Sequence, residues 1–138
     1  MKRQIKFRGF DATGRKGWVY GDLVHNQKVT VTGLEPRVMV GGYEVAPESV
    51  GQYIGMLDNK GTEIYEGDVV CRHDQTFDVK EIGVVVYNES LGAFLLQVKK
   101  GEFTSNYTFA KRIVENDGKC TIEVKYSFEV ILEQTAQH

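Results

Sequence analysis

The sequence predicts a mainly β protein with at most one or two short helices. Fifteen Gly and only two Pro accompany many Val, Tyr, Phe and Thr, a composition that favours strands and tight turns. Short apolar runs also recur along the second half of the chain, broken by turn residues at Asp74-Gln75, Glu89-Ser90 and Gly92. We therefore expect an N-terminal β-hairpin lobe and a C-terminal small β-barrel.

Length, composition and charge narrow the class of protein. The 138 residues fit one domain, and 41% hydrophobic with 26% charged residues is typical of a globular chain, neither disordered nor fibrous. The net charge of −2 gives no global attraction to nucleic acid or to an anionic membrane. No stretch approaches the roughly 20 apolar residues of a membrane span, and MKRQIKFRGF lacks the apolar region of a signal peptide. We expect a cytoplasmic protein with no membrane partner.

The first ten residues alternate basic and apolar side chains, a period of two that predicts a half-buried strand. Ile5 and Phe7 form its packing side. We interpret the opposite side as a solvated strand face, although its cations are also the candidate phosphate contacts if the protein binds nucleic acid. These cations are Lys2, Arg3, Lys6 and Arg8.

A second strand is predicted from Trp18 to Val24, with Trp18, Tyr20 and Leu23 as packing groups, and the turn Asp11-Ala12-Thr13-Gly14 joins it to the first strand as a hairpin. The pattern between Asn26 and Pro47 is weaker and indicates two short strands, at Val29 to Val31 and Val38 to Val40. Pro47-Glu48-Ser49 predicts a tight turn or a single helical turn.

The most specific stretch of the chain is SVGQYIGMLDNKGTEIYEGDVV, which runs from Ser49 to Val70. Two short runs, Tyr53 to Leu57 and Thr62 to Tyr65, flank the turn Asp58-Asn59-Lys60-Gly61 and predict a hairpin. We expect the Asp58 side chain to accept backbone N–H groups ahead of it, and Gly61 to adopt the left-handed conformation that closes the turn.

Beyond this stretch, three short strands are predicted at Asp68 to Cys71, Ile82 to Asn88 and Phe94 to Lys99, an order similar to that of SH3-like barrels. The region from Phe103 to Asn116 has a mixed pattern, in which Phe109, Ile113 and Val114 allow a short helix. A last long strand is predicted from Cys120 to Leu132.

Three segments, KFRGFD, WVYGDLV and VAPESVGQYIGMLDNKGTEIYEGDVV, together resemble the YopX family of phage and prophage proteins of Gram-positive bacteria, from Lys6 to about Tyr87. The resemblance implies a single family domain over residues 1–138. Within it, the strand and turn pattern predicts an N-terminal β lobe at about 1–50, a linking hairpin at about 51–67 and a barrel-like part at about 68–132. It implies no particular activity, and the C-terminal VKYSFEVILEQTAQH departs from the family pattern. The motif positions to which we assign structural roles are Gly51, Tyr53, Gly55, Asp58, Gly61, Ile64, Tyr65, Gly67 and Asp68.

Residues with catalytic or metal-binding chemistry form no recognisable motif. The histidines lack HxxxH or HExxH spacing, and Cys71-Arg72-His73 offers only two ligands, so a zinc site would need a fold that brings Asp74 or Cys120 beside them. We expect no metal and no cofactor. Cys71 and Cys120 belong to no CxxC pair and are expected to be free thiols. We interpret Glu66 and Asp68 as a polar turn exposed to water, without the burial that acid–base chemistry needs, and predict no catalytic residues.

Three functional hypotheses follow. The one we favour is a non-enzymatic phage module that binds a protein or assembles with itself through strand edges. The second is a nucleic-acid-binding protein that adds Lys99, Lys100, Lys111 and Arg112 to the N-terminal cations. The third, an enzyme, rests only on unassigned carboxylates and histidines. The aromatic residues Trp18, Tyr53 and Tyr65, which could stack on bases, are expected to pack in the core instead.

Overall fold

A computed structural model of the chain describes residues 3–109 and 120–126. Within them the chain forms twelve strands, all paired antiparallel wherever a register is defined, and one short 3₁₀ helix at Pro47–Ser49, where a turn was predicted. The prediction of a mainly β protein is therefore confirmed. The strands are β1 Phe7–Phe10, β2 Trp18–Gly21, β3 Leu23–Thr30, β4 Gly33–Val40, β5 Tyr43–Glu44, β6 Gly51–Leu57, β7 Glu63–Tyr65, β8 Val69–Asp74, β9 Val79–Asn88, β10 Ala93–Lys100, β11 Phe103–Thr108 and β12 Cys120–Tyr126.

The chain divides into two compact units, Met1–Tyr53 and Ile54–His138. In the first unit β1 pairs with β2 and, on its other side, with the start of β6. A second small sheet has the order β3-β4-β5. The buried core of this unit is Val19, Val40 and Val45, against which Phe7, Leu23, Val38 and Val50 pack.

The predicted first hairpin is confirmed, and the predicted packing residue Leu23 packs against the core, but Tyr20 does not. Tyr20 is 53% exposed, whereas its neighbour Val19 is buried. The reason is Gly9, which lies opposite Val19 in the β1–β2 register. A Cβ on Gly9 would lie 2.8 Å from the Cβ of Val45, so the core packs directly on the backbone at Gly9 and its strand partner is buried with it.

The predicted solvated face of β1 is wrong at Arg8, which is 5% exposed, and the predicted packing residue Ile5 is 56% exposed. The Arg8 guanidinium carbon lies 4.4 Å from the ring centroid of Trp18. A guanidinium is weakly hydrated and stacks favourably on an aromatic face, so it tolerates burial that an ammonium group resists.

Residues 23–40 form one long hairpin instead of the two short strands expected there. The register runs without interruption from Leu23↔Val40 to Thr30↔Gly33. Polar residues and Pro36 within these strands concealed the pattern. Pro36 is tolerated because β5 pairs with β4 only at Met39 and Val40, which leaves an open edge beside it.

In the second unit the sheet order is β11-β10-β9-β8-β12. β9 and β10 separate β8 from β11 in the strand order, yet the Arg72 guanidinium on β8 lies 4.2 Å from the Tyr107 ring centroid on β11. This short distance shows that the sheet is strongly bent. One face of this sheet packs with Ile64 of β7 to form the core, and its residues there are Val70, Val85, Leu96, Val98 and Ile122. This curvature agrees with a barrel-like part, while closure as an SH3-like barrel stays a prediction.

Two predicted elements near the C-terminus are described only in part. The mixed region that was expected to allow a helix begins as β11, whereas Ile113 and Val114 lie outside the described residues. The last strand is present as β12, and its predicted continuation from residue 127 to residue 132 is also outside them. In the part of the chain that is described, no helix has the length and apolar character needed to cross a bilayer.

Candidate functional site

The turn between β6 and β7 has the predicted chemistry. Asp58 Oδ1 accepts the backbone N–H groups of Lys60 at 2.9 Å and Thr62 at 2.8 Å. The N–H of Gly61 donates to the Asp58 carbonyl at 3.1 Å, with Gly61 at φ 84°. The side chain of Asp58 therefore holds the turn together, and the glycine supplies the left-handed residue that the turn needs.

The same turn also binds the edge of the five-stranded sheet. The N–H of Val124 donates to Asp58 Oδ2 at 2.9 Å, and the N–H of Ile122 donates to Asn59 Oδ1 at 2.6 Å. The N–H of Asn59 donates in return to the Ile122 carbonyl at 3.1 Å. Because β12 is the end strand of its sheet, Asp58 and Asn59 occupy an edge that would otherwise be open to pairing with another strand. We call these two residues the edge clamp.

The end of the motif is anchored in the sheet through backbone groups. The N–H of Gly67 donates to the Val85 carbonyl at 2.8 Å, and the N–H of Val85 donates to the Asp68 carbonyl at 2.9 Å. Asp68 Oδ2 accepts the N–H of Tyr65 at 2.8 Å. The expectation of a water-exposed polar turn is wrong for Asp68, which is 1% exposed, because its carboxylate bonds to the backbone inside the unit.

The other motif positions lie in strands. In the first unit Gly51 pairs with Arg8, and the N–H of Tyr53 donates to the Lys6 carbonyl at 2.9 Å. In the second unit Ile64 and Tyr65 are buried, and Gly55 lies within β6. The contacts of the motif are thus contacts with the chain's own backbone and core.

Replacing Gly61 by Val is expected to destabilise the protein by about 1–3 kcal/mol, the usual cost of holding a β-branched residue in a sparsely populated backbone region. The space around Gly61 is open, since a Cβ at this position would have no atom of the described residues within 4 Å, so the loss comes from the backbone. Urea unfolding measures it. Gly61→Asn is the control, because Asn tolerates a left-handed conformation; equal losses in the two variants would contradict this explanation.

The candidate nucleic-acid residues are partly engaged with the chain itself. Lys6 Nζ lies 5.1 Å from the Tyr53 ring centroid, Arg8 stacks on Trp18, and Lys100 Nζ lies 2.9 Å from a Glu81 oxygen. Arg3 and Lys99 are exposed. Contact with nucleic acid at these positions stays a prediction. Three further candidates lie outside the described residues, namely Lys2, Lys111 and Arg112.

A buried charged cluster lies on the core side of the five-stranded sheet. Both Glu81 carboxylate oxygens accept from the Tyr107 hydroxyl at 3.1 Å, and Arg72 Nη1 lies 3.4 Å from Oε1. The hydrogen bond from Lys100 is the main reason that the pKa of Glu81 is below its ordinary value; the Tyr107 hydroxyl and the charge of Arg72 lower it further, whereas burial opposes them. Glu81 is thus a carboxylate at neutral pH. No sequence pattern indicated this cluster, because its members come from four strands.

The β3–β4 hairpin forms an arm with two unlike faces. Its charged residues Lys28, Glu35 and Arg37 lie on one face, and Lys28 there pairs with Glu44 at 2.9 Å. The other face begins at the core pair Leu23↔Val40 and ends at the pair Val29↔Leu34. At this outer end the apolar side chains are uncovered, with Val29 84%, Leu34 63% and Val31 in the turn fully exposed. We call Val29, Val31 and Leu34 the distal stripe.

Possible metal ligands do not converge in the described part of the chain. No three His, Cys, Asp or Glu side chains among residues 3–109 and 120–126 lie together as a metal site would require. His73 Nε2 instead lies 2.8 Å from Asp78 Oδ1. Cys71 and Cys120 are free thiols, as expected.

These observations define an antiparallel β protein of two compact units. Within the second unit, the turn between β6 and β7 binds the end strand of a bent five-stranded sheet. The family model described as YopX protein matches residues 6–124, and the chain therefore belongs to the YopX family. A search of curated proteins found no match.

Proposed function

We propose that this protein is a non-enzymatic, self-assembling module of a phage or prophage that acts in the bacterial cytoplasm, and that a second copy of the chain covers the β3–β4 arm. The distal stripe is the observation that carries the proposal. Large apolar side chains that stand together, uncovered, at the end of a hairpin mark a surface that another molecule covers. The phage setting is supported by membership of the YopX family.

The stripe continues the core of its own unit outwards. Val40, at the base of the arm, is fully buried, whereas Val29 and Leu34 at the outer end of the same face are not. Fully burying a Val or Leu side chain contributes about 1.5–3 kcal/mol. Two copies that each bury Val29 and Leu34 therefore gain roughly 6–12 kcal/mol, against an association cost of roughly 4–15 kcal/mol. The stripe alone makes a weak contact, so a further contribution is needed.

That contribution is available at the edge of the arm. β3 is an end strand of its sheet, and its outer backbone groups can pair with a strand of another chain. A two-fold dimer brings one surface against itself. Self-contact is favourable here, because the charged residues Lys28, Glu35 and Arg37 lie on the other face and like charges do not meet.

The absence of catalysis is part of the proposal and rests on how the buried carboxylates are used. Asp11, Asp58 and Asp68 accept backbone N–H groups of the chain. Glu81 is paired with two cations. Each of these carboxylates therefore has a structural role within the protein, and none is directed at a substrate in the way acid–base catalysis requires.

Light scattering coupled to size-exclusion chromatography tests the assembly. We expect the natural chain to be a dimer or larger at micromolar concentration, and the double variant Val29→Asp with Leu34→Asp to be a monomer. The variant should keep its circular dichroism spectrum, because both side chains are exposed. In the double variant, each copy of the chain would have to bury two unpaired carboxylates in the contact, which disfavours association.

Val24→Asp is the matched control, because Val24 is a half-exposed valine on the opposite face of β3. It should leave the oligomer intact. A natural chain that is monomeric at all concentrations measured, or a control that dissociates the oligomer as fully as the double variant, would overturn the proposal.

A further inference from the structure

The second unit contains a cavity that the proposed assembly does not use. Its volume is about 220 Å³. It lies between the two end strands of the bent sheet, since β11 and β12 both contribute to its wall although they are at opposite ends of the strand order. The lining residues are Arg72, Leu96, Asn106, Tyr107, Thr108, Phe109 and Ile122.

The volume limits the size of a ligand. Sites for drug-sized molecules have volumes of roughly 300–1,000 Å³, so a nucleotide is too large for this cavity. An apolar cavity of about 150 Å³ binds benzene. A cavity of 220 Å³ therefore has room for one ring and one small substituent. The side chains of Leu96, Phe109 and Ile122 supply an apolar wall for such a ring.

The charges near the cavity select the substituent. Among the described residues, the lining includes the cation Arg72 and no acidic side chain. Glu81, behind it, is paired with Arg72 at 3.4 Å and with Lys100 at 2.9 Å, so the cluster of two cations and one carboxylate has a net charge of +1. Arg72 is held against the Tyr107 ring, its Nη2 donates to Cys120 Sγ at 3.3 Å, and its side chain is 16% exposed. A guanidinium has five N–H donors, and the contacts with Glu81 and Cys120 use one on each terminal nitrogen. The donors that remain on this fixed, planar group are suited to a carboxylate.

We propose that this cavity binds a small molecule made of one apolar ring and one carboxylate, with the ring against Leu96, Phe109 and Ile122 and the carboxylate on Arg72. The cavity lies within the second unit and the arm lies within the first. The proposal of ligand binding can therefore be tested independently of the proposal of self-assembly.

The test is a titration of ¹⁵N-labelled full-length protein followed by amide chemical shifts, with three probes of one ring size: benzoate, benzyl alcohol and benzylamine. We expect saturable shifts from benzoate, centred on the amides of Arg72, Tyr107 and Ile122. Benzoate should bind about tenfold more tightly than benzyl alcohol, the ratio expected for a hydrogen bond to a charged group. Benzylamine should bind most weakly.

Two variants separate the roles of wall and charge. Arg72→Lys keeps the charge but loses the planar fork, and should weaken benzoate while leaving benzyl alcohol unchanged. Phe109→Ala should weaken both probes equally. Phe103→Ala is the control, because Phe103 is on β11 but 79% exposed and outside the lining, and it should bind like the natural chain.

The amide spectrum of each variant shows directly whether it is folded, and the order of the three probes on the natural chain needs no variant. The proposal is overturned if benzoate gives no saturable shifts, if benzyl alcohol or benzylamine binds as tightly as benzoate, or if folded Arg72→Lys and Phe109→Ala both bind benzoate like the natural chain.

Discussion

Replacing Asp58 by Ala is expected to lower the free energy of unfolding by about 3 kcal/mol. The side chain accepts three backbone N–H groups, from Lys60, Thr62 and Val124. A hydrogen bond to a charged group contributes about 1.5–3 kcal/mol, but water will reach part of the turn after the substitution, so the loss is below the sum of three such bonds. The substitution removes the Asp58 half of the edge clamp and the side-chain bonds that close the turn, while the Asn59 contacts with Ile122 remain.

Urea unfolding measures this loss, and hydrogen exchange locates it. The Val124 amide should exchange faster in Asp58→Ala, because its acceptor is gone. Asp74→Ala is the matched control, since the Asp74 side chain accepts a local N–H from Thr76 at 2.9 Å in an exposed turn. If the two variants lose equal stability, or if the Val124 amide keeps its protection, Asp58 does not secure β12.

Replacing Glu81 by Gln is expected to cost about 3 kcal/mol at neutral pH, the lower end of the range for breaking a buried ion pair. Gln can still accept from the Tyr107 hydroxyl, but it leaves the charge of Arg72 uncompensated in the interior. The loss of stability is at the low end of that range because the Lys100 side chain is 55% exposed, and its charge can be solvated by water when Glu81 is replaced.

The same variant changes the pH dependence of stability. Because the pKa of Glu81 is lowered in the folded protein, its stabilising effect is complete above its ordinary value of 4.5 and is lost as pH falls through the lowered folded value. Acidification below about pH 5 should therefore destabilise the natural chain more than Glu81→Gln. Thermal unfolding at a series of pH values measures the difference.

Glu123→Gln is the control for this experiment. Glu123 also pairs with two cations, Lys60 at 2.8 Å and Lys125 at 3.3 Å, but the pairs are exposed to solvent. We expect it to lose much less stability than Glu81→Gln, because water replaces a partner at an exposed site. Equal losses in the two variants would show that burial of the Glu81 cluster contributes nothing.

Local interactions were predictable from the sequence. The turn at Asp58 to Gly61, the β1–β2 hairpin and the 3₁₀ turn after Pro47 each depend on residues close in the chain, whose backbone preferences act before any tertiary contact forms. Membership of the YopX family was also recognisable, because its motif is a continuous stretch of the sequence.

The identity of buried polar residues was not predictable. Arg8 was expected in solvent because charged residues are mostly exposed, yet Trp18 provides the face on which it stacks. Asp68 was expected in water for the same reason, and it binds the backbone of Tyr65 in the interior. In each case a partner outside the local pattern compensates for the loss of water.

The sequence by itself determined that the chain is mainly β and where its turns lie, because alternation, glycines and turn residues act over a few positions. It also determined the family, because the family motif is one continuous stretch. Only the tertiary structure decided what the Asp58 turn holds, since Val124 lies 66 residues further along the chain. The tertiary structure also decided where the cavity lies, because the bend of the sheet brings Arg72 to Tyr107. It decided where the distal stripe lies, because the register of the arm separates its apolar face from its charged face. Both depend on strand pairing between distant segments, which no local pattern encodes.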